Sequence, residues 1–173
     1  LKQTIELPGK RIITSGCGGG VTFERLKGKL RKIDADLCLT PDELFQMFRQ
    51  LHFPDSLHAR ARGVHAAGLT DGEQILALAE DVGRHNTIDK ITGICLQKEI
   101  PTEGRALLAT GRISSEMLLK GARMGCPIIA SRNSPTSFAL EIADTAGITV
   151  VGYARQGSLR VYTHSYRLKG EDI

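Results

Sequence analysis

The chain has no tryptophan, and only five phenylalanines and three tyrosines among its 173 residues. Aromatic platforms of the kind that stack single-stranded nucleic acid are therefore missing. No apolar run approaches the roughly 20 residues needed to cross a bilayer, and no secretory leader pattern is present. The expectations are no membrane partner and a cytoplasmic location. The four cysteines, Cys17, Cys38, Cys95 and Cys126, include no C-x-x-C pair, so neither a zinc cage nor a disulfide framework is signalled, and reduced thiols without a structural metal are expected. The first residue is Leu1 instead of methionine, which suggests a fragment or a trimmed product.

What is present has the composition of an ordinary soluble protein, 41% hydrophobic and 24% charged, at a length that suits one domain with a real core. The net charge of +4 would suit an anionic ligand, a phosphate-bearing cofactor among them. Lys27, Lys29, Arg31 and Lys32 form one basic group, and Arg60 and Arg62 a second. Neither is interleaved with aromatics, so both read as solvated faces and no nucleic-acid partner is expected.

One stretch departs from the ordinary: Thr14-Ser15-Gly16-Cys17-Gly18-Gly19-Gly20 sets a single cysteine among four glycines. Glycine opens backbone angles closed to other residues and adds no bulk, so this run reads as a loop with an uncovered sulfur. Free cysteine is usually buried, and a packed Cys17 beside a glycine linker is the plain alternative. With nothing bulky between Gly16 and Gly20 to cover it, a nucleophilic or sulfur-carrying Cys17 is the leading reading. Residues 1–39 as a whole read as a basic, irregular arm, and 40–173 as an α/β domain that binds a cofactor.

At Thr40 the pattern changes. Thr40 can cap a helix, Pro41 suits its first position, Asp42 and Glu43 sit at the positive end of its dipole, and Leu44, Met47, Phe48 and Leu51 recur at helical spacing over 41–51. A hairpin follows, 64–69 and 74–80 around Asp71-Gly72. His65 lies in its first arm, where a satisfied sheet histidine and a site residue are both open. A helix begins near His85 with Ile88, Ile91 and Cys95 on its apolar face. Strands at 106–110, 127–130 and 148–153 then alternate with a helix ending at Gly125 and another running from Pro135 to Gly147. The expected fold is a three-layer α/β/α domain with a mixed sheet.

Sheets of this kind bind ligands beyond the carboxyl ends of their strands. Four turns are expected to meet there: 81–86, 111–115, 131–137 and 154–157. The densest is Asp81-x-x-Arg84-His85-Asn86-x-x-Asp89-Lys90, where free backbone N–H groups at a helix start stand beside Arg84 and His85, a place for phosphate or carboxylate. Asp81 and Asp89 suit donors of a base or ribose. A capped helix with surface ion pairs is the competing reading. Gly111, Arg112 and Ser114, and Ser131, Pro135, Thr136 and Ser137, supply two further anion-binding turns, each explicable alone as capping chemistry.

The segments EDVGRHNTIDKITG (80–93), TGRISSEMLLKGARMGCPIIASRNSPTSFALEIADTAGITVVGYAR (110–155) and VHAAGL (64–69), following a glycine-flanked cysteine, closely resemble the formate dehydrogenase accessory family FdhD. The resemblance covers about residues 11–165. It implies a sulfurtransferase that takes persulfide sulfur from a cysteine desulfurase and delivers it to the molybdenum or tungsten bis-pyranopterin guanine dinucleotide cofactor of formate dehydrogenase. Cys17 matches the persulfide-bearing position. Family members commonly show C-G-x-C-G here, whereas this chain has Gly20 in place of the second cysteine, so a two-cysteine relay is absent from the loop. The resemblance also implies a cytidine-deaminase-like scaffold without deaminase zinc ligands. His85-Asn86-Thr87 lacks the general-acid glutamate, and Arg112 to Glu116 contains no cysteine. A homodimer is expected by symmetry, since the cofactor has two nucleotide ends. A binding scaffold that only docks or protects the cofactor, and a cysteine hydrolase, are the alternatives from other classes.

Overall fold

A computed structural model describes residues 30–51, 56–61 and 63–170. Cys17 and its loop lie outside the described residues, as do the basic positions 27, 29 and 62. The elements in chain order are α1 (Pro41–Gln50), α2 (Leu57–Ala61), β1 (His65–Thr70), β2 (Ile75–Asp81), α3 (Arg84–Gln97), β3 (Ala106–Ala109), α4 (Ser115–Arg123), β4 (Ile128–Ser131), α5 (Ser137–Ala146), β5 (Thr149–Arg155) and β6 (Ser158–Thr163), followed by a 3-10 turn at Ser165–Arg167.

The six strands form one mixed sheet in the order β2-β1-β3-β4-β5-β6, with β3-β4 and β4-β5 parallel and the other pairs antiparallel. Successive residues of a strand face opposite sides, and the apolar strands use both. Leu107, Ala109, Ile129 and Val150 pack with Ile88, Ile91 and Cys95 of α3, Met117 and Leu118 of α4, and Ala139, Ile142 and Ala143 of α5. Ala106, Leu108, Ile128, Ala130 and Val151 point the other way, onto Leu44, Met47 and Phe48 of α1. The result is the expected three-layer α/β arrangement. Burying both faces explains why β3 and β4 are runs of apolar residues with no polar alternation.

The helix ends follow their local chemistry. Thr40 forms a full capping box with Glu43 on α1. Gly147, at φ 69°, closes α5 in the left-handed region. One boundary needs correction: Pro135 does not begin α5. Thr136 caps it through a side-chain bond from the Ala139 N–H (3.3 Å), and its own N–H donates to the Ile113 carbonyl (3.0 Å), so the chain at Pro135 is still extended. The edge strand β6 and the short α2 were not anticipated.

Residues 30–39 have no regular structure, yet they are tied to the domain. The Ile33 N–H donates to Ala146 O at the end of α5 (2.9 Å), and Leu39 exchanges backbone bonds with Arg167 and Lys169 (2.9 and 2.8 Å). No helix among the described residues is long and apolar enough to cross a membrane.

Candidate functional site

Strands β2, β3, β4 and β5 run the same way, so Asp81, Ala109, Ser131 and Arg155 end at one edge of the sheet, where β1 begins at His65. Three of the four anticipated turns interlock there. The Ile113 N–H donates to Ser134 O (3.1 Å), and Ile113 bridges Pro135 in parallel fashion, which staples the 111–115 turn to the 131–137 turn. Ser131, fully buried, donates to Gly111 O (2.5 Å) and accepts the Asn133 N–H (3.0 Å). His85 Nε2 lies 3.2 Å from Ser114 Oγ, which joins the first turn to the second. From β5 the contact comes through Tyr153, whose N–H donates to Asn133 O (3.3 Å), ahead of the 154–157 turn.

Asp81 builds the first turn from within. One carboxylate oxygen accepts the Gly83 N–H (2.8 Å) and the Asn86 amide (3.0 Å), and the other pairs with Lys90 Nζ (2.5 Å). The Lys90 ammonium first, then these two donors, hold its carboxyl down at about 2. Asp81 and Asn86 are thus turned toward each other. Asp89 faces the neighbouring helix, where Lys120 Nζ binds it at 2.6 and 2.8 Å. It lines a groove of about 550 Å³ between α3 and α4, away from the strand ends, with Cys95 and Met124.

Arg84, the first residue of α3, lies against Gly111. A Cβ at Gly111 would sit 3.0 Å from Arg84 Cβ and 3.2 Å from both Arg84 Cδ and His65 Nδ1, so a larger residue would require these side chains to give by a few tenths of an ångström. Arg84 Nε is buried without a hydrogen-bond partner. Helices α1, α4 and α5 are capped by the Thr40, Ser114 and Thr136 side chains, whereas Gly83 leaves α3 without a side-chain cap. The uncapped end of α3 and the unsatisfied guanidinium nitrogen beside it can both receive an anion.

His85 stands between Ser114 and Glu116, whose Oε2 is 3.6 Å from Nε2. Desolvation lowers its pKa below 6.5, opposed by the Glu116 carboxylate and reinforced by Arg84 and Lys120. The neutral imidazole is favoured, and it can share one proton with the Ser114 hydroxyl. Arg112 and Ser137 are exposed at the rim, and Thr136 is committed to its cap.

Two participants were missed. Thr110 accepts the Ala66 N–H at Oγ1 (3.0 Å), and Asn133 donates to Thr110 O (2.7 Å), so both pin the strand ends. His65, open on sequence between a sheet histidine and a site residue, comes to this edge by its register opposite Asp81 and its proximity to Gly111. A signal was available in the sequence: arginines follow three successive strand ends, at Arg84, Arg112 and Arg132. With Asp81 neutralised by Lys90, those arginines dominate the charge of the edge. Among the described residues no cluster of three His, Cys, Asp or Glu side chains is arranged to hold a metal ion.

The model of the FdhD/NarQ family matches residues 2–169. The chain belongs to that family. Sulfur carrier protein FdhD of Staphylococcus haemolyticus is 34% identical over 174 residues, covering 99% of this chain and 66% of the relative. The Bacillus pumilus protein of the same name is 40% identical over 161 residues, covering 92% of this chain and 62% of the relative. The chain therefore spans a little under two thirds of the length of these FdhD proteins. A crystal structure of a candidate formate dehydrogenase accessory protein from Desulfotalea psychrophila superimposes with a TM-score of 0.74 at 36% identity, over 83% of this chain and 62% of that one.

Proposed function

We propose that this chain is a sulfur carrier that serves formate dehydrogenase. In this reading the Cys17 thiolate attacks the outer sulfur of a cysteine desulfurase persulfide, the desulfurase cysteine leaves as a thiolate, and Cys17 holds the transferred sulfur. The acceptor substrate is the molybdenum or tungsten bis-pyranopterin guanine dinucleotide cofactor, to which the sulfur is released. The observation that carries the reading is the FdhD/NarQ match over residues 2–169, which spans both Cys17 and the arginine-lined edge.

The edge supports a role for the nucleotide part of that substrate. An uncapped α3, an unsatisfied Arg84 Nε and an exposed Arg112 suit phosphate oxygens. Neutral His85 and Ser114 are placed to exchange hydrogen bonds with a base or ribose. Asp81 and Asn86 serve the ligand by fixing the turn that aims Arg84 and His85, and Gly111 serves by admitting Arg84. The functional assembly is proposed as a cytoplasmic homodimer on a cytidine-deaminase-like scaffold, one guanine nucleotide end meeting each protomer.

The test is intact mass after incubation with a cysteine desulfurase and cysteine, on the wild type and Cys17→Ala, with GDP affinity measured on both. A gain of about 32 Da on the wild type alone, with GDP binding equal in the two, is expected. If neither protein gains mass while both bind GDP, Gly20 in place of a second cysteine has cost the chain its transfer activity. The scaffold that docks or protects the cofactor then takes its place.

A further inference from the structure

Helices α3 and α4 both start at the ligand edge and lie side by side, so residues one turn apart on the first meet residues one turn apart on the second. Two rungs result. His85 Nε2 stands 3.6 Å from Glu116 Oε2, and one turn further along each helix Lys120 Nζ binds the Asp89 carboxylate at 2.6 and 2.8 Å. Lys120 also reaches to 3.5 Å from the His85 carbonyl, so one ammonium touches both rung positions of α3.

Exposure separates this pair from an ordinary surface ion pair. The Lys120 side chain is 22% exposed against 59% for Asp89, so it is the lysine that crosses between the helices and gives up most of its water. Beyond the pair the helices part around the groove of about 550 Å³, whose lining passes from Asp89 and Lys120 to Cys95, Glu99 and Met124. Lys120 therefore fastens α3 to α4 at the head of that gap. The consequence falls on the ligand edge, because α3 opens with Arg84 and His85 and has no side-chain cap of its own, whereas α4 is fixed at Ser114. The bearing of one helix on the other sets the 3.2 Å contact between His85 and Ser114.

We infer that Lys120 is a positioning residue for the nucleotide edge, holding the first turn of α3 so that Arg84 and His85 stay aligned with Arg112 and Ser114. It lies about 7.5 Å along α4 from Ser115, at roughly 1.5 Å per residue, and acts without touching the ligand. This role rests on the reading of that edge as a nucleotide site. Arg84 and Asp89 face His85 from its own helix, and Glu116 and Lys120 face it from α4. Burial is the main cause that lowers the His85 pKa, Lys120 adds to the lowering and Asp89 opposes it. Removing the ammonium and freeing the carboxylate thus both favour the charged imidazole.

The test measures GDP affinity by calorimetry on the full chain, at a pH above the His85 titration of every variant, with that titration followed by nuclear magnetic resonance. Lys120→Met should weaken GDP binding by about tenfold and raise the His85 pKa, while circular dichroism reports an unchanged fold. Lys120→Arg, whose guanidinium can span the same carboxylate, should restore most of both. Lys120→Met/Asp89→Asn has the net charge of the wild type, and its affinity should stay low because the fastening is still absent. If Lys120→Met fails to fold, Lys120→Gln is measured in its place with the same expectations. Unchanged GDP affinity in Lys120→Met beside a binding wild type, or full recovery in the charge-balanced double variant, would overturn the positioning role and leave the nucleotide reading standing. A wild type that does not bind GDP removes the nucleotide reading, and the positioning role falls with it.

Discussion

Arg167 is 2% exposed, has no acidic partner among the described residues, and lies where the chain from residues 30–39 enters the domain. Its guanidinium donates to Gly147 O (2.8 Å), Thr149 Oγ1 (3.4 Å), Ile33 O (3.3 Å) and Ala35 O (3.3 Å), and the Tyr166 ring lies 4.7 Å from its Cζ. The C-terminal carbonyl end of α5 beside it is the negative end of that helix, which helps a buried cation without a carboxylate. Truncation to alanine removes all four donors. Gly147 O is in a buried bond and loses its partner outright, while Ile33 O and Ala35 O are half-buried and recover part of the loss from water. With about 1–3 kcal/mol for a buried acceptor left unsatisfied and less for the other two, the expected loss is about 3–5 kcal/mol. That is a large share of the roughly 5–15 kcal/mol that holds a domain together, and it corresponds to a fall of about 10 °C in melting temperature. The loss should also be local. The Ile33 amide, bonded to Ala146 O, should lose hydrogen-exchange protection before the amides of β3 and β4. Urea denaturation followed by circular dichroism, with exchange measured below the transition, reads both effects. Arg167→Lys should recover part of the stability, since one ammonium reaches fewer acceptors. A loss below about 1 kcal/mol in Arg167→Ala, with Ile33 still protected, would refute the idea that this guanidinium anchors the segment.

The other predictions address the site and the core. Gly111→Ala should push Arg84 away and weaken GDP binding about tenfold, with little change in melting temperature; an unchanged affinity in calorimetry would show that Arg84 does not need this approach. His85 should titrate below 6.5 by nuclear magnetic resonance, and Glu116→Gln should lower it further, because the carboxylate is the group that raises it. The sign for stability follows: His85 contributes fully above pH 6.5, and its contribution fades as the pH falls through the depressed folded value. Gly121→Ala would place a Cβ 2.5 Å from Ile129 Cδ1, so either the Ile129 side chain or α4 must shift in a packed core, and about 1–3 kcal/mol should be lost in urea melts. Burial, and then the neighbouring Cys95, push the Cys126 thiol up to about 12, so alkylation near pH 8 should spare it until the chain unfolds; rapid labelling of the folded protein would contradict its burial.

Much of the scaffold was legible because both of its periodicities are strong. The cap at Thr40, the Asp71-Gly72 turn, the Ile88-Ile91-Cys95 face and the terminal Gly147 each involve neighbours in sequence, and the structure repeats them. The serine-proline turn misled because proline at a helix start and proline in an extended lead-in read alike. Only the long-range bond from Thr136 N–H to Ile113 O separates them. Leu159 and Val161 alternate with Ser158, Arg160 and Tyr162, so β6 carried a readable pattern that was passed over. The anchoring of residues 33 and 35 by Arg167 joins positions more than 130 apart and has no local signature. Likewise, the turn at Asp81 announced polar chemistry without announcing its division between groups that build the turn and groups that face outward.

That division decides how a ligand would be met. Asp81, Asn86 and Lys90 spend their charges and amide on one another, and Asp89 spends its carboxylate on Lys120, so these five carry no net charge. Arg84, Arg112 and Arg132 follow the ends of β2, β3 and β4 without any such pairing, and Arg155 and Arg160 extend the positive row onto the hairpin of β5 and β6. A substrate with phosphates would thus meet cations without internal counter-charges, because Asp81 and Asp89 are already paired with lysines. Releasing one of them should be felt at a distance. Lys90→Met leaves Asp81 uncompensated beside Arg84, so GDP affinity should fall although residue 90 touches no ligand, and Asp81→Asn with Lys90→Met should restore much of it. An additive double variant in calorimetry would show that the pair acts on the fold alone and has no bearing on the charge of the edge.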